Sequence, residues 1–279
     1  VDLPKDILFV EGPYHKVEEV RPCAYKPQVM DDEKKIEMAV DLMAKGKRPI
    51  IYGGGGLINS GPRASELLLE FADLTGYPVT LTLMGLGALP ASNIQFLGML
   101  GMHGTYEANL AMNQCDVMLN IGARFDDRVT GRLSDFSPRS TKIHVDIDPS
   151  SINKNVKVDL PIIGDAAMTL ERMIKVWKDK GYQNNDPKIK EWWSDIDGWR
   201  EKKCLEFKQE GKVIKPQYAI RRLFEKTANK DTFITTEVGQ HQMWAAQYYG
   251  FEQPNRWMTS GGLGTMGYGL PAAMGVQIA

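Results

Sequence analysis

From residue 31 onward, apolar residues recur every three to four positions, at Ile36, Ala39, Val40 and Met43, until Lys45-Gly46-Lys47 ends the run. This pattern predicts an amphipathic helix. A short, wholly apolar run follows, Pro49-Ile50-Ile51-Tyr52, and breaks into four glycines at 53–56, as a buried strand does when it feeds a turn. Ala64, Leu67, Leu68, Phe71 and Ala72 mark a second helix. Strands are expected at 78–83, 116–122 and 142–147, and helices at 105–114 and 166–180. Strand and helix alternating at this spacing require crossovers, so the expected class is α/β with a doubly wound parallel sheet.

Between Gly181 and Lys215 the pattern changes to Asn, Asp, Lys and Trp, with Trp192, Trp193 and Trp199 on one amphipathic helix expected to pack between two units. A second alternation begins beyond it: helix 216–229, strand 232–236, helix 241–249, strand 256–259 and a last helix from Gly269-Leu270-Pro271. The first residue is Val1 rather than Met, and the last helix reaches Ala279 without a C-cap, so both ends read as cuts through a longer chain.

Composition narrows the function. Basic and acidic residues number 34 and 35 without long single-sign runs, which provides no electrostatic footprint for nucleic acid. No stretch approaches the ~20 apolar residues of a membrane span. Cys23, Cys115 and Cys204 are widely spaced and odd in number, which supports neither a disulfide framework nor a zinc site and fits a reducing, cytoplasmic setting.

Ligands of parallel sheets bind beyond the carboxyl ends of the strands, so the chemistry is sought there. The four glycines after Tyr52 could admit a phosphate or ring, or could form a tight strand-to-helix turn. Arg124-Phe125-Asp126-Asp127-Arg128 concentrates charge after a strand; its guanidinium forks suit a phosphate or carboxylate, and a surface ion-pair cluster is the alternative. Asp146-Ile147-Asp148 could hold ribose hydroxyls or cap a turn. His103 precedes a helix with no second His or Cys at metal-ligand spacing. Gly261-Gly262-Leu263-Gly264-Thr265-Met266-Gly267 contains GxGxxG before a helix, and Gln240-His241 opens another; each could face a phosphate or merely serve packing and capping.

In this order, Thr82-Leu83-Met84-Gly85-Leu86-Gly87, Leu100-Gly101-Met102-His103-Gly104-Thr105, and segments 124–131, 239–247 and 260–273 resemble the motifs of acetolactate synthase catalytic subunits over essentially the whole chain. The resemblance implies that residues 1–30 end a pyrimidine-binding domain and linker, 31–181 form a central FAD-binding domain, 182–214 a helical linker, and 215–279 part of a thiamine-diphosphate-binding domain. It implies FAD contacts at Gly54, Thr82, Leu83, Leu100, Gly101, Met102, His103, Gly122, Ala123, Arg124, Phe125, Asp126, Asp127, Arg128, Asp146, Ile147, Asp165 and Ala166. Thiamine diphosphate would meet Gln240, His241, Gly264, Thr265 and Met266, and Arg128 would also hold a keto-acid carboxylate.

The family's reaction decarboxylates pyruvate and joins the product to pyruvate or 2-ketobutyrate. This forms 2-acetolactate or 2-aceto-2-hydroxybutyrate in branched-chain amino-acid biosynthesis, in a homodimer or tetramer that can carry a regulatory small subunit. The activating glutamate and the Mg ligands belong to parts of the family pattern absent from these residues, so the chain alone is expected to be inactive. Pyruvate oxidase, glyoxylate carboligase and 2-keto-acid decarboxylase share the architecture, but residues 124–128 and 240–244 argue against them. A non-catalytic nucleotide-binding module is the rival from another class.

Overall fold

The computed structural model describes residues 5–16, 32–183 and 187–279. Cys23 and most of the expected linker before residue 31 lie outside the described residues. In chain order the elements are α1 (Lys5–Leu8), α2 (Glu33–Lys45), β1 (Pro49–Gly53), α3 (Gly55–Asn59), α4 (Pro62–Thr75), β2 (Val79–Leu81), β3 (Phe96–Met99), α5 (Tyr106–Gln114), β4 (Val117–Ile121), α6 (Asp127–Thr130), β5 (Thr141–Asp146), β6 (Leu160–Ile163), α7 (Ala166–Asp179) and α8 (Pro187–Arg200). A second group follows: α9 (Pro216–Thr227), β7 (Ile234–Thr235), α10 (Gln240–Tyr248), β8 (Trp257–Met258) and α11 (Gly269–Ile278).

The first six strands make one sheet in the order β3-β2-β1-β4-β5-β6, with every neighbouring pair parallel. The strand order reverses direction between β1 and β4, where such sheets open their ligand crevice. β1 and β4 are buried along their whole length, as strands covered on both faces must be. Ile51, Leu119, Ile143 and Val145 point into one layer with α2, α4 and α7. Ile50, Tyr52 and Met118 point into the other, with Ala108, Ala111 and Met112 of α5 and Trp192 and Ile196 of α8.

Two strands carry no pattern that predicts them, and both are sheet edges. β6 contains Pro161, which lacks the N–H an inner strand needs and is tolerated at an edge. β3 shifts register against β2 and passes through Gly98 at φ 93°.

The tryptophan helix corrects an expectation. Rather than packing between units, α8 closes the second face of the central sheet. Trp192 Nε1 donates to the Pro49 carbonyl at 3.0 Å and Trp193 Nε1 to the Gly76 carbonyl at 2.8 Å, anchoring the helix at two strand-flanking turns. Arg48 pairs with Asp195 at 2.9 Å while lying over the Trp192 ring.

The second group forms a two-stranded parallel sheet, β7 beside β8, cross-tied by the Thr236 and Thr259 hydroxyls at 2.8 Å. It docks against the loops after β2 and β3: Ala91 N donates to Phe251 O at 3.0 Å, Ser92 Oγ to the Glu252 carboxylate at 2.6 Å, and Gln247 Nε2 to His103 O at 2.9 Å. Tyr249, Phe251 and Trp257 continue the core of the central unit across this seam. Its far side leaves Leu223, Phe233, Leu270 and Met274 exposed.

Candidate functional site

The residues singled out from the sequence for FAD follow all six strands of the central sheet and therefore share its carboxyl edge. At the crevice, the loops after β1 and β4 touch backbone to backbone. Gly54 N donates to Ile121 O and Gly56 N to Gly122 O, both at 2.9 Å. A Cβ on Gly54 would lie 2.3 Å from Gly122 O, and one on Gly56 would lie 2.5 Å from Gly122 Cα. The glycine run thus seats one loop on the other, which gives the strand-to-helix-turn reading a definite cause. Thr82 caps the short turn after β2 by accepting from Gly85 N at 3.1 Å, with Leu83 beside it.

The loop after β3 is held by Asn109, whose side chain accepts from Gly101 N at 3.2 Å and donates to Gly101 O at 3.0 Å. Leu100 is buried, whereas Met102 and His103 are exposed. Met102 N donates to Arg128 O at 2.9 Å, tying this loop to the one after β4. There, Asn120 turns back on its own strand end, accepting from Ala123 N at 3.1 Å and donating to Ala123 O at 2.6 Å. Phe125 adopts φ 53° and drops its ring into the core against Tyr52, Phe136 and His144. Asp126 caps α6 by accepting from Arg128 N at 3.0 Å and pairs with Arg124 at 3.2 Å. The Arg128 side chain is 74 % exposed, and its ion pair with Asp127 is 3.9 Å long.

On the remaining two strands, Asp146 receives Asp148 N at 2.8 Å with Ile147 between them. Asp165 caps α7 by accepting from Ala167 N and Met168 N and also takes the Ser60 hydroxyl at 2.7 Å. The side chains of Ala123, Phe125, Asp165 and Ala166 therefore serve the fold, leaving their backbones at the edge. Arg124, Arg128, Met102 and His103 stand open to solvent.

The second candidate cluster faces the first across the seam. Gln240 and His241 begin α10 and are exposed. Thr265 N donates to Ser260 Oγ at 2.8 Å in the glycine loop, beside Gly264, and Met266 is 84 % exposed. Gly261 of that loop approaches Met84 and Leu83, and Gly262 comes up to the Arg124 guanidinium. The glycine loop of the second cluster thus meets the edge that carries the first at Leu83, Met84 and Arg124.

Glu237 was missed by pattern. It accepts from Gly267 N at 2.8 Å and from Gly269 N, and these amides hold its carboxyl below the usual glutamate range. An acidic residue directly after a strand, facing a glycine run 30 residues on, was the available signal. Asn109 and Asn120 carried no motif, and Gln242, which donates to Thr259 Oγ1 at 2.6 Å, lies in the 239–247 segment but was given no role of its own. Burial pushes the Cys115 thiol up to about 11, so it is no thiolate nucleophile. Among the described residues, no group of three or more His, Cys, Asp and Glu is placed to hold a metal ion, and no helix is long and apolar enough to cross a membrane.

A parallel sheet whose carboxyl edge is built on glycine contacts, with the glycine loop of a second α/β unit brought against it at Leu83, Met84 and Arg124, is an α/β architecture of two units. The family described as thiamine pyrophosphate enzyme, central domain, matches residues 36–173, and that described as thiamine pyrophosphate enzyme, C-terminal TPP binding domain, matches residues 237–279. The chain belongs to the thiamine pyrophosphate enzymes. Within them it is homologous along its whole length to acetolactate synthase large subunits. It is 48 % identical over 281 residues to the acetolactate synthase large subunit of Buchnera aphidicola subsp. Schizaphis graminum, covering all of this chain and 48 % of that protein. It is 46 % identical to the acetolactate synthase isozyme 3 large subunit of Escherichia coli K12, again covering all of this chain and 48 % of that protein. Identity to the acetolactate synthase of Mycobacterium leprae is 41 % over 280 residues, covering all of this chain and 44 % of that protein. The chain spans about half the length of these relatives.

Proposed function

We propose that this chain carries the flavin-binding unit and part of the thiamine-diphosphate-binding unit of an acetolactate synthase catalytic subunit, which decarboxylates pyruvate and joins the product to a second pyruvate or to 2-ketobutyrate. The observation that carries the reading is the carboxyl edge of the sheet. All six strand ends converge there on glycine-lined backbone, with two arginines whose side chains are 59 % and 74 % exposed. That arrangement fits a dinucleotide: Gly54 and Gly122 bring the two loops together backbone to backbone, and the forks of Arg124 and Arg128 suit phosphate oxygens. Exposed Gln240, His241 and Thr265, on a loop braced by Glu237, fit thiamine diphosphate.

Thiamine diphosphate supplies the nucleophilic carbon of the reaction, and FAD has a chiefly structural role. The chain's own residues orient and enclose. Arg128, free of capping duty, can take a keto-acid carboxylate in its fork. Gly261 lets the glycine loop approach Met84 and Leu83 closely. Magnesium has no matching donor set among the described residues, and no step is assigned to it. The relatives named large subunits support association with a small regulatory subunit, and the exposed Leu223, Phe233, Leu270 and Met274 support homo-oligomerisation. A cytoplasmic location is part of the same proposal.

Titration of flavin fluorescence tests the division of the two clusters. Arg124→Ala and Arg128→Ala should each weaken FAD binding about tenfold, as loss of a charge-assisted contact does. His241→Ala should leave it unchanged. Equal weakening by His241→Ala would overturn the assignment of two separate cofactor clusters. Acetolactate formation from pyruvate by the full-length protein, read as acetoin after acidification, tests the reaction itself.

A further inference from the structure

Thr80, Tyr52, Asn120, His144 and Pro161 occupy one register row across the central sheet, from β2 to β6. Polar side chains buried in such a row are expected to find partners. Thr80 Oγ1 donates to Gly98 O at 2.9 Å, and Asn120 uses both ends of its amide on Ala123. Tyr52 and His144 do not conform. The buried Tyr52 hydroxyl has no hydrogen-bond partner among the described residues, and His144, 0 % exposed, has none at either ring nitrogen.

One acceptor lies just out of reach. Asp146 Oδ2 stands 3.6 Å from His144 Nε2, two residues on at the carboxyl end of the same strand. The other oxygen of Asp146 is already engaged by Asp148 N at 2.8 Å. The Asp146 side chain keeps 12 % of its surface exposed, so this carboxylate joins the buried row to the carboxyl edge of the sheet. Phe125 closes the pocket over the imidazole, its ring edge-on at 5.1 Å and backed by Phe136. The left-handed conformation of Phe125 turns that ring inward at the very loop that carries Arg124 and Arg128 outward.

We propose that His144 is a positioning residue for Asp146. In its Nε2–H tautomer it donates to Asp146 Oδ2 and fixes the carboxylate in the orientation that accepts a hydroxyl from the sugar or polyol part of a bound flavin dinucleotide. The inference rests on the reading that the flavin lies along this edge. The contact is a hydrogen bond, with no proton transferred. A small rotation of either side chain shortens 3.6 Å to bonding distance.

Two measurements test it. With only four histidines in the chain, 15N spectroscopy of labelled imidazoles resolves the tautomer of the buried one. The expected signature is Nε2–H, with its resonance displaced in Asp146→Asn. Flavin titration supplies the second. His144→Phe removes the donor at similar volume and should lose about tenfold or more in FAD affinity, whereas His144→Gln, which keeps an N–H, should stay within about threefold of the parent. Apo His144→Phe should resist urea about as well as the parent, because loss of the bond to Asp146 is offset by removal of the unpartnered Nδ1. Loss of affinity without loss of stability separates positioning from mere packing.

An Nδ1–H tautomer, or FAD binding by His144→Phe equal to the parent's, overturns the inference while leaving the flavin reading intact. Failure of the parent chain itself to bind FAD overturns the flavin reading, and the tautomer still decides whether the His144–Asp146 bond exists.

Discussion

The contact between the loops after β1 and β4 makes a sharp demand on the four-glycine run, and alanine scanning across it should give very unequal results. Gly54 has φ −120° and ψ −171°, a conformation open to any residue, so replacing it tests space and not backbone strain. An added methyl would lie 2.3 Å from Gly122 O and 2.6 Å from both Ala123 Cα and Ala123 Cβ. Backbone atoms in a loop pinned by two hydrogen bonds cannot yield as a side-chain end can. Overpacking typically costs about 1–3 kcal/mol, and this case belongs at the top of that range. For a unit of this size about 3 kcal/mol corresponds to a fall in Tm of about 6–12 °C. At Gly55 the added methyl meets only Met84 Cβ at 3.2 Å and Met84 O at 3.7 Å, and the residue lies in α3, where alanine is preferred. Gly55→Ala should therefore stay within about 1 kcal/mol of the parent. Urea unfolding followed through the buried Trp177 and Trp192 reports on this unit. Equal losses at Gly54 and Gly55, or no loss at Gly54, would refute the account of the crevice as a glycine-on-backbone contact.

Trp192→Ala should destabilise the central unit by about 3–5 kcal/mol in the same urea assay, because a fully buried indole and its bond to Pro49 O are both lost. Asp41→Asn should cost less than about 1 kcal/mol, since its 2.6 Å pair with Lys180 lies at the surface. Lys180 holds the Asp41 carboxyl below the usual carboxylate range, so what stability the pair adds is present at neutral pH and fades on acidification. Glu237 is also more acidic folded than unfolded. Its hold on the glycine loop is complete above the ordinary glutamate pKa of 4.5 and is lost as pH falls through the lower folded value. Glu237→Gln should speed amide hydrogen exchange at Gly267 and Gly269 at pH 7, and unchanged exchange there would count against the clamp.

How much of this could be read in advance depended on whether one residue or a pair carried the information. Ile36, Ala39, Val40 and Met43 announce α2 because a helix buries one face against the sheet, and the buried residues are those four. β1 and β4 are legible as largely apolar runs, broken in β4 only by Asn120, because both of their faces are covered. The edge strands escape the same rule: Leu160-Pro161-Ile162-Ile163 alternates in burial, and its proline argues against a strand until its edge position is known. Arg124 to Arg128 stood out as a dense charge cluster, but only the fold separates Asp126, which caps α6, from Arg128, which does not. Glu237 with Gly267, and His144 with Asp146, are relations across a loop and along a strand into a buried layer. Gly267 stands in a glycine run that local composition does mark, but its pairing with Glu237, and the burial of His144, are not visible there.

The division of labour in the loop after β4 bears on why the edge should receive an anion. A surface ion-pair cluster, the alternative for residues 124–128, would satisfy its guanidiniums internally. Instead, Asp126 serves two duties at once, capping α6 and holding Arg124 at 3.2 Å, while Asp127 approaches Arg128 only to 3.9 Å. Asn120 and the buried Phe125 ring hold the loop's backbone firmly from below. A rigid loop that presents one lightly paired guanidinium beside a glycine-lined crevice loses little conformational entropy when it binds, which is the condition under which a charge-assisted contact to a phosphate or carboxylate yields its full affinity. Rigidity beneath and a nearly unpaired fork above together favour the ligand-binding reading over the self-neutralised one.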